Sequence, residues 1–243
     1  MPTRPMSTAL EALVQAVFPA QCAFCGTGVG EGFLCAGCHA DLPRLHLACP
    51  RCAEPLPSAL PPGVTCGACQ RRAPPFHAAR AVCHYRFPVD AALKALKFRR
   101  RLHYAPAFAA LMLPLARAAF PDADALVPVP LHPLRHALRG FNQAYELAKP
   151  LGRALHLPVL GAARRVRRTR QQIGLPASER RRNLAHAFAV PGGLDCRHPL
   201  IVDDVMTTGE TCRQLARALL AAGADDVGVL TVARAAQPVL RKV

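Results

Sequence analysis

Beyond residue 80 the chain alternates short, continuous apolar runs with longer stretches in which apolar residues recur every three or four positions. The first pattern marks buried strands and the second marks amphipathic helices. Strands are expected over residues 80–86, 126–130, 185–190, 200–205 and 227–233. Helices are expected from near Val89, with Leu93 and Leu96 on the apolar face, over 105–119, over 141–155 with a perturbation at Pro150, and over 210–222. Regular alternation of this kind predicts an α/β fold, a parallel sheet flanked by helices. No apolar run approaches the roughly 18–20 residues that span a bilayer, so an integral membrane protein is excluded. Residues 7–18 are amphipathic, but Glu11 and Gln15 interrupt them and no small-residue cleavage pattern follows, so a packing helix is favoured over an export signal and a cytoplasmic location is expected.

Before Pro74-Pro75 the pattern changes, because apolar periodicity gives way to cysteine spacing. Eight of the 11 cysteines fall here as four Cys-x-x-Cys pairs: Cys22/Cys25, Cys35/Cys38, Cys49/Cys52 and Cys66/Cys69. One pair presents two thiolates from a single knuckle, and two knuckles complete a tetrahedral Zn²⁺ shell. Two structural Zn²⁺ sites are therefore expected. The simplest grouping is sequential, the first four cysteines at one ion and the last four at the other, although interleaving also satisfies the spacing. Intervening Gly26, Gly28, Gly30, Pro50, Pro55, Pro57 and Gly67 suit tight turns, so metal would stand in for a hydrophobic core. A disulfide framework would need an oxidising compartment, and redox pairs are usually solitary. Cys35-Ala36-Gly37-Cys38-His39 also matches a haem-attachment pattern, a chemistry that requires export. Two parts follow, a ribbon module over 1–75 and an α/β domain over 76–243. Cys83, Cys196 and Cys212 lie in apolar segments and are expected to be core thiols.

The most informative polar residues end an apolar run. Leu200-Ile201-Val202 leads into Asp203-Asp204, then Val205-Met206-Thr207-Thr208-Gly209-Glu210-Thr211 opens a helix. Hydroxyls from Thr207, Thr208 and Thr211, close backbone approach at Gly209 and the free N–H groups of a helix start form an anion cradle. Paired carboxylates beside it accept hydrogen bonds from a vicinal diol or hold a hard cation such as Mg²⁺. Phosphate beside a diol points to a ribose phosphate. The competing readings are a plain capped turn and the acidic pocket of a receiver domain, whose acid pair lies near a domain start rather than near the chain end.

Charge changes the picture in one respect. Lys and Arg total 31 against 15 Asp and Glu, a formal net charge of +16, which favours phosphates, nucleic acid or anionic surfaces. Part of the excess is local: Lys94, Lys97, Arg99, Arg100 and Arg101 end one helix, and eight arginines fall between Arg164 and Arg182 around Gly174 and Pro176. The first group also suits the helix dipole, and a run like the second is commonly a solvated stretch. The cysteine module has few aromatics for base stacking.

The stretch from Leu200 to Thr211 resembles the phosphoribosyl-pyrophosphate (PRPP) signature of type I phosphoribosyltransferases. That resemblance implies that Asp203 and Asp204 bind ribose hydroxyls and that Thr207, Thr208, Gly209 and Thr211 bind the 5-phosphate. Purine-salvage members carry an acid where Thr207 stands, so purine salvage is disfavoured. The block from Leu131 to Gln143, with Arg135, Arg139, Asn142 and Gln143, the segment from Arg165 to Leu175 and the cysteine ribbon together resemble the ComF family of competence-associated, phosphoribosyltransferase-like proteins. The resemblance implies transfer of phosphoribose from PRPP with Mg²⁺ to an acceptor that the sequence does not identify. Arg135, Arg139, Arg167 and Lys97 are then candidates for pyrophosphate contacts. The alternative is a non-catalytic competence factor that handles single-stranded DNA with the same fold, in company with competence-machinery proteins. A PRPP-sensing regulator ranks last, since no DNA-reading helix pair is apparent.

Overall fold

A computed structural model describes residues 20–131, 137–165 and 187–236. The expected helix over 7–18 lies outside them. Two compact units divide the chain between Leu42 and Pro43, so the last four cysteines of the ribbon belong to the same unit as the α/β domain.

Among the described residues of the smaller unit, a short helix, α1 (Ala36–Ala40), begins within the second knuckle, and the Cys35 sulfur caps it by accepting from the Cys38 N–H at 3.4 Å. In the larger unit α2 (Gly67–Arg71) occupies the same place after Cys66.

Among the described residues four parallel strands form the sheet: β1 (Ala78–His84), β2 (Ala125–Pro128), β5 (Pro199–Met206) and β6 (Gly228–Arg234), in the order β1-β6-β5-β2. Helices α3 (Val89–Arg99), α4 (Tyr104–Ala119), α5 (Gln143–Leu155) and α6 (Glu210–Ala221) flank it. β5 and β6 are buried along nearly their whole length, which explains why they read as continuous apolar runs instead of alternating ones. Strand periodicity of two then splits their side chains between the faces. Val127, Ile201 and Val229 join Cys212, Leu215 and Leu219 of α6 in one buried cluster. Leu126 points the other way, toward Gly152 of α5, where an added Cβ would stand 2.8 Å from Val159 and 2.9 Å from the Leu157 carbonyl. The chain leaving α5 can therefore fold back tightly against the helix through Leu157 and Val159 only because that residue is glycine. α5 runs through Pro150 without a break.

Of the expected strands, the one over 185–190 is corrected in its partner. Only β4 (Phe188–Ala189) is extended among its described residues, and it pairs antiparallel with β3 (Arg164–Arg165) in a separate two-stranded ribbon. Two residues are too few to enter the main sheet, and the partner strand sits in an arginine run that carries no apolar signal.

The edge strand β1 is not left bare. Arg44 bridges Cys83 antiparallel, the Leu45 N–H donates to the Val82 carbonyl at 3.0 Å and the His84 N–H to the Pro43 carbonyl at 2.7 Å. Further along, the Ala79 N–H and Arg80 Nη1 both donate to the Pro50 carbonyl, at 3.3 and 2.8 Å. The segment leading into the second cysteine group thus covers an edge that would otherwise present unpaired backbone groups.

Candidate ribose-phosphate site and metal centres

β2 pairs with β5 only as far as Val202, so the next two residues of β5, Asp203 and Asp204, stand at the carboxyl end of the sheet. That is where ligands bind in open parallel α/β folds. Both acids are nearly buried, Asp203 at 9% and Asp204 at 3% exposure. The Asp204 N–H donates to Asp203 Oδ1 at 2.9 Å, which fixes the first carboxylate against its own backbone. Lys97, reaching from the last turn of α3, forms an ion pair with Asp204 Oδ2. Gln143, the first residue of α5, approaches Asp204 Oδ1 with its Nε2 at 3.5 Å, and Arg139 Nη1 donates to Gln143 Oε1 at 2.9 Å. The Arg139 guanidinium also lies 5.1 Å from the centre of the Phe98 ring. Lys97, Asp204, Gln143 and Arg139 therefore form one polar chain drawn from three separate stretches of sequence.

Burial holds the Asp203 carboxyl well above the usual carboxylate range, and the charge of Asp204 raises it further, while Lys97 offsets part of the effect. In that dry position Asp203 keeps its proton more readily than an exposed carboxyl does.

After β5 the chain turns through Thr207, Thr208 and Gly209 into α6. Gly209 has φ +75°, a left-handed conformation natural to glycine. Thr207 and Thr208 are exposed and Thr211 is half-buried, so all three hydroxyl-bearing residues are accessible at the start of α6. Thr208 Oγ1 accepts from the Glu210 N–H at 3.4 Å. Asn142, one of the polar groups of the loop before α5, holds the backbone in place. Its Oδ1 accepts from the Ala144 N–H at 3.0 Å to cap α5, and its Nδ2 donates to the Val129 carbonyl at 3.0 Å. Arg135 and Arg167 lie outside the described residues.

The cysteines group in sequence order. The sulfurs of Cys22, Cys25, Cys35 and Cys38 all lie within 4.8 Å of one another, as do those of Cys49, Cys52, Cys66 and Cys69. Cys25 and Cys35 Sγ are 3.7 Å apart and Cys52 and Cys66 Sγ 3.6 Å, close to the edge of a tetrahedron with Zn–S bonds of about 2.3 Å. Burial pushes the Cys38 and Cys52 thiols up, and the neighbouring sulfurs push them further. Four sulfurs packed this closely suit a cation that compensates thiolate charge, so both tetrads fit Zn²⁺ by donor type and by spacing. Cys83, Cys196 and Cys212 are buried core thiols, at 1%, 8% and 1% exposure.

Two contributors carry little signal in the sequence. Gln143 reads there only as part of a polar loop, yet it contacts Asp204. Arg234 does not stand out at all, although it is 2% exposed and donates from Nη1 to the Met206 carbonyl at 3.0 Å and to the Thr207 carbonyl. The one available sign was a lone cation closing the buried run from Val227 to Ala233.

A cleft of about 880 Å³ opens elsewhere on the larger unit, between β4 and α6, and Arg72, Arg213 and Arg217 are among its lining residues.

Paired acids and a glycine turn at the carboxyl end of a parallel sheet, together with two cysteine tetrads, define a phosphoribosyltransferase-like protein with a double zinc ribbon. Known proteins agree with that description: the double zinc ribbon domain matches residues 13–70 and the phosphoribosyl transferase domain matches residues 137–243. The DNA utilization protein YhgH of Escherichia coli (strain K12) is 35% identical over 212 residues, covering 85% of this chain and 92% of that protein. Competence protein F of Haemophilus influenzae is 30% identical over 216 residues, covering 85% and 93%. Competence protein ComFC of Bacillus subtilis is 29% identical over 161 residues, covering 64% and 63%. The chain belongs to the ComF family of competence-associated, phosphoribosyltransferase-like proteins. Among the described residues, no helix is long and apolar enough to cross a membrane.

Proposed function

We propose that the protein binds PRPP at the end of β5 and transfers its phosphoribosyl group to an acceptor, in the service of DNA uptake or use. The carrying observation is the burial of Asp203 and Asp204 beside Lys97, immediately before an accessible threonine-glycine turn at the start of α6. Asp203 and Asp204 accept hydrogen bonds from the ribose 2- and 3-hydroxyls. Thr207, Thr208, Gly209 and Thr211 take the 5-phosphate, aided by the free N–H groups of the helix start. Lys97, Arg135, Arg139 and Arg167 are the cations assigned to the pyrophosphate. Mg²⁺ bound with PRPP would supply neutralisation of the leaving group, and the adjacent carboxylate oxygens of Asp203 and Asp204 are the hard donors the chain offers it. As positive charge develops at the anomeric carbon, the two acids stabilise it while the cations hold the departing pyrophosphate. No covalent nucleophile is required. In this reading the functional boundary falls near residue 75, since every residue assigned to the ligand follows it, and the protein acts in the cytoplasm.

The test is calorimetric titration of PRPP, with and without Mg²⁺, into native protein and into the Asp203→Asn, Asp204→Asn double variant after folding is checked. Binding that needs Mg²⁺ and the aspartates supports the assignment and opens an acceptor screen by pyrophosphate release. Absence of binding by well-folded native protein rejects it.

A second reading is favoured by the cleft with Arg72, Arg213 and Arg217 and by the relatives named for DNA utilization and competence. Here the protein holds single-stranded DNA by its phosphates without turnover, alongside proteins of the competence machinery. It predicts weak sequence preference and a steep loss of affinity with salt. Replacing Arg213 and Arg217 by Gln should then flatten that slope; an unchanged slope would remove the cleft from consideration.

A further inference from the structure

Arg234 closes β6 directly opposite Met206 in the sheet register, and its guanidinium is almost wholly buried. Its donors divide between two regions distant in sequence. Toward the turn after β5, Nη1 reaches the Met206, Thr207 and Ala235 carbonyls, the first at 3.0 Å and the last at 2.8 Å. Toward the second cysteine group, Nε donates to the Cys52 carbonyl at 3.2 Å and Nη2 pairs with the Glu54 carboxylate. One planar fork therefore joins the backbone of a candidate metal ligand to the backbone of the candidate phosphate turn.

The knuckle at its other end is tied to β1 through the Pro50 carbonyl and packs Ala53 into the main core, but it buries little apolar surface of its own. Cys49, Cys52 and Cys69 are its buried apolar residues, with Leu56 and Cys66 packed against them, so the cluster consists mostly of the sulfur ligands themselves. Ala53, between Cys52 and Glu54, sits at φ +55°, a conformation that an L-residue keeps only when its surroundings enforce it. The enforcing contacts are the Ala53 N–H to the Cys49 carbonyl at 2.8 Å, the Cys49 N–H to the Glu54 carbonyl at 2.8 Å and the Cys66 N–H to Cys49 Sγ at 3.3 Å. A metal ion across the four sulfurs would lock that loop. Without it, that loop is left with the backbone contacts just named and those of the Pro50 carbonyl. A buried guanidinium cannot tolerate losing partners such as the Cys52 carbonyl and Glu54 cheaply, because its charge would then be uncompensated.

We propose that Arg234 is a positioning residue through which Zn²⁺ at Cys49, Cys52, Cys66 and Cys69 sets the conformation of the Met206–Thr207 turn. The metal in that group is thus part of the ligand-binding apparatus, whereas the metal at Cys22, Cys25, Cys35 and Cys38 is not. The consequence for affinity rests on the ribose-phosphate reading above; the coupling between metal and turn does not.

Hydrogen–deuterium exchange of amides 206–211 in full-length, metal-loaded protein decides the question, with amides 125–127 of β2 as the internal control. Cys66→Ser should lower the zinc content from two to one per chain and speed exchange at 206–211 about tenfold or more while 125–127 stay protected. Arg234→Met should speed the same amides and retain both metals. Cys35→Ser should lose the other metal and leave them unchanged. Glu54→Gln, a milder change that keeps the shape of the pair, should give a smaller rise in the same place and carries the test if Arg234→Met does not fold. Native exchange at 206–211 in Cys66→Ser or in Glu54→Gln overturns the proposal, as does a rise spread equally over 125–127. PRPP titrated into the same proteins should bind at least tenfold more weakly to Cys66→Ser than to Cys35→Ser. If native protein fails to bind PRPP, the proposed function falls, and the exchange data still decide the coupling.

Discussion

Around Cys49 and Cys66 the buried cluster is made of metal ligands and one leucine, whereas under the sheet it is made of Val127, Ile201, Leu215, Leu219 and Val229 packed between layers. The cysteine knuckles delegate their stability to an ion. The sheet generates its own from apolar burial and can therefore bear two nearly buried carboxylates at the end of its central strand β5. The contrast shows how a single chain can draw order and chemistry from different sources. One region offers thiols for a metal where a core would otherwise be, and the other has enough core to hold charges where water would otherwise screen them.

The strongest way to break this comparison is to remove the metal. A structural Zn²⁺ site is worth on the order of 10 kcal/mol of binding free energy in small metal-dependent folds. Anaerobically purified protein is expected to carry two Zn²⁺ per chain, and a strong chelator should lower the midpoint of thermal unfolding by ~10 °C or more. Metal analysis that finds no zinc would leave the knuckles without their stabilising element, and the contrast would collapse.

Next in size is a change confined to the sheet's core. Leu215→Ala deletes a fully buried side chain of α6 and should cost roughly 2–5 kcal/mol in denaturant unfolding. The zinc content should stay at two. Loss of metal in this variant would show that the two regions do not hold themselves independently.

Gly209→Ala tests the turn itself. Its φ of +75° is unfavourable for alanine, and the new Cβ would stand 3.3 Å from Met206 Sδ, so a loss of about 1–2 kcal/mol is expected together with weaker PRPP binding. Full stability with full binding would mean the turn does not need the left-handed conformation.

The smallest expected effect has the opposite sign. Because burial and Asp204 raise the Asp203 carboxyl, the folded state holds that proton more tightly than the unfolded chain. Stability contributed by this group is therefore highest in acid and falls as pH rises from the unfolded value near 3.8 through the raised folded value. Asp203→Asn removes the penalty and should stabilise the protein at neutral pH by about 1 kcal/mol, at the usual scale for relief of a cost carried by a functional site, while abolishing PRPP binding. Destabilisation at neutral pH would mean the acid serves the fold and not a ligand.

Much of this was legible along the chain. The β5 strand, the acid pair, the turn and α6 are contiguous, so hydrophobic pattern and residue chemistry located them together. The cysteine pairs were equally plain, because knuckle spacing is a local property. What distant segments contribute was harder to see. Lys97 could be placed at a helix end, where a cation also suits the dipole, and only folding brings it to Asp204. Of the strand expected over 185–190, Phe188–Ala189 form one half of a small antiparallel ribbon, a pairing hidden in the sequence because the partner, Arg164–Arg165, carries no apolar periodicity.

By itself, then, the sequence determined the α/β architecture, the two thiolate sets and the acid-and-threonine stretch, since each depends on periodicity or on neighbours within a few residues. Tertiary structure alone decided that the cysteines group sequentially, that Gln143 and Arg139 extend the polar chain from Asp204, and that Arg234 links Cys52 to Thr207. Those relations depend on strand order and on which buried donors find acceptors once the layers close, and no local pattern encodes a hydrogen bond across 182 residues.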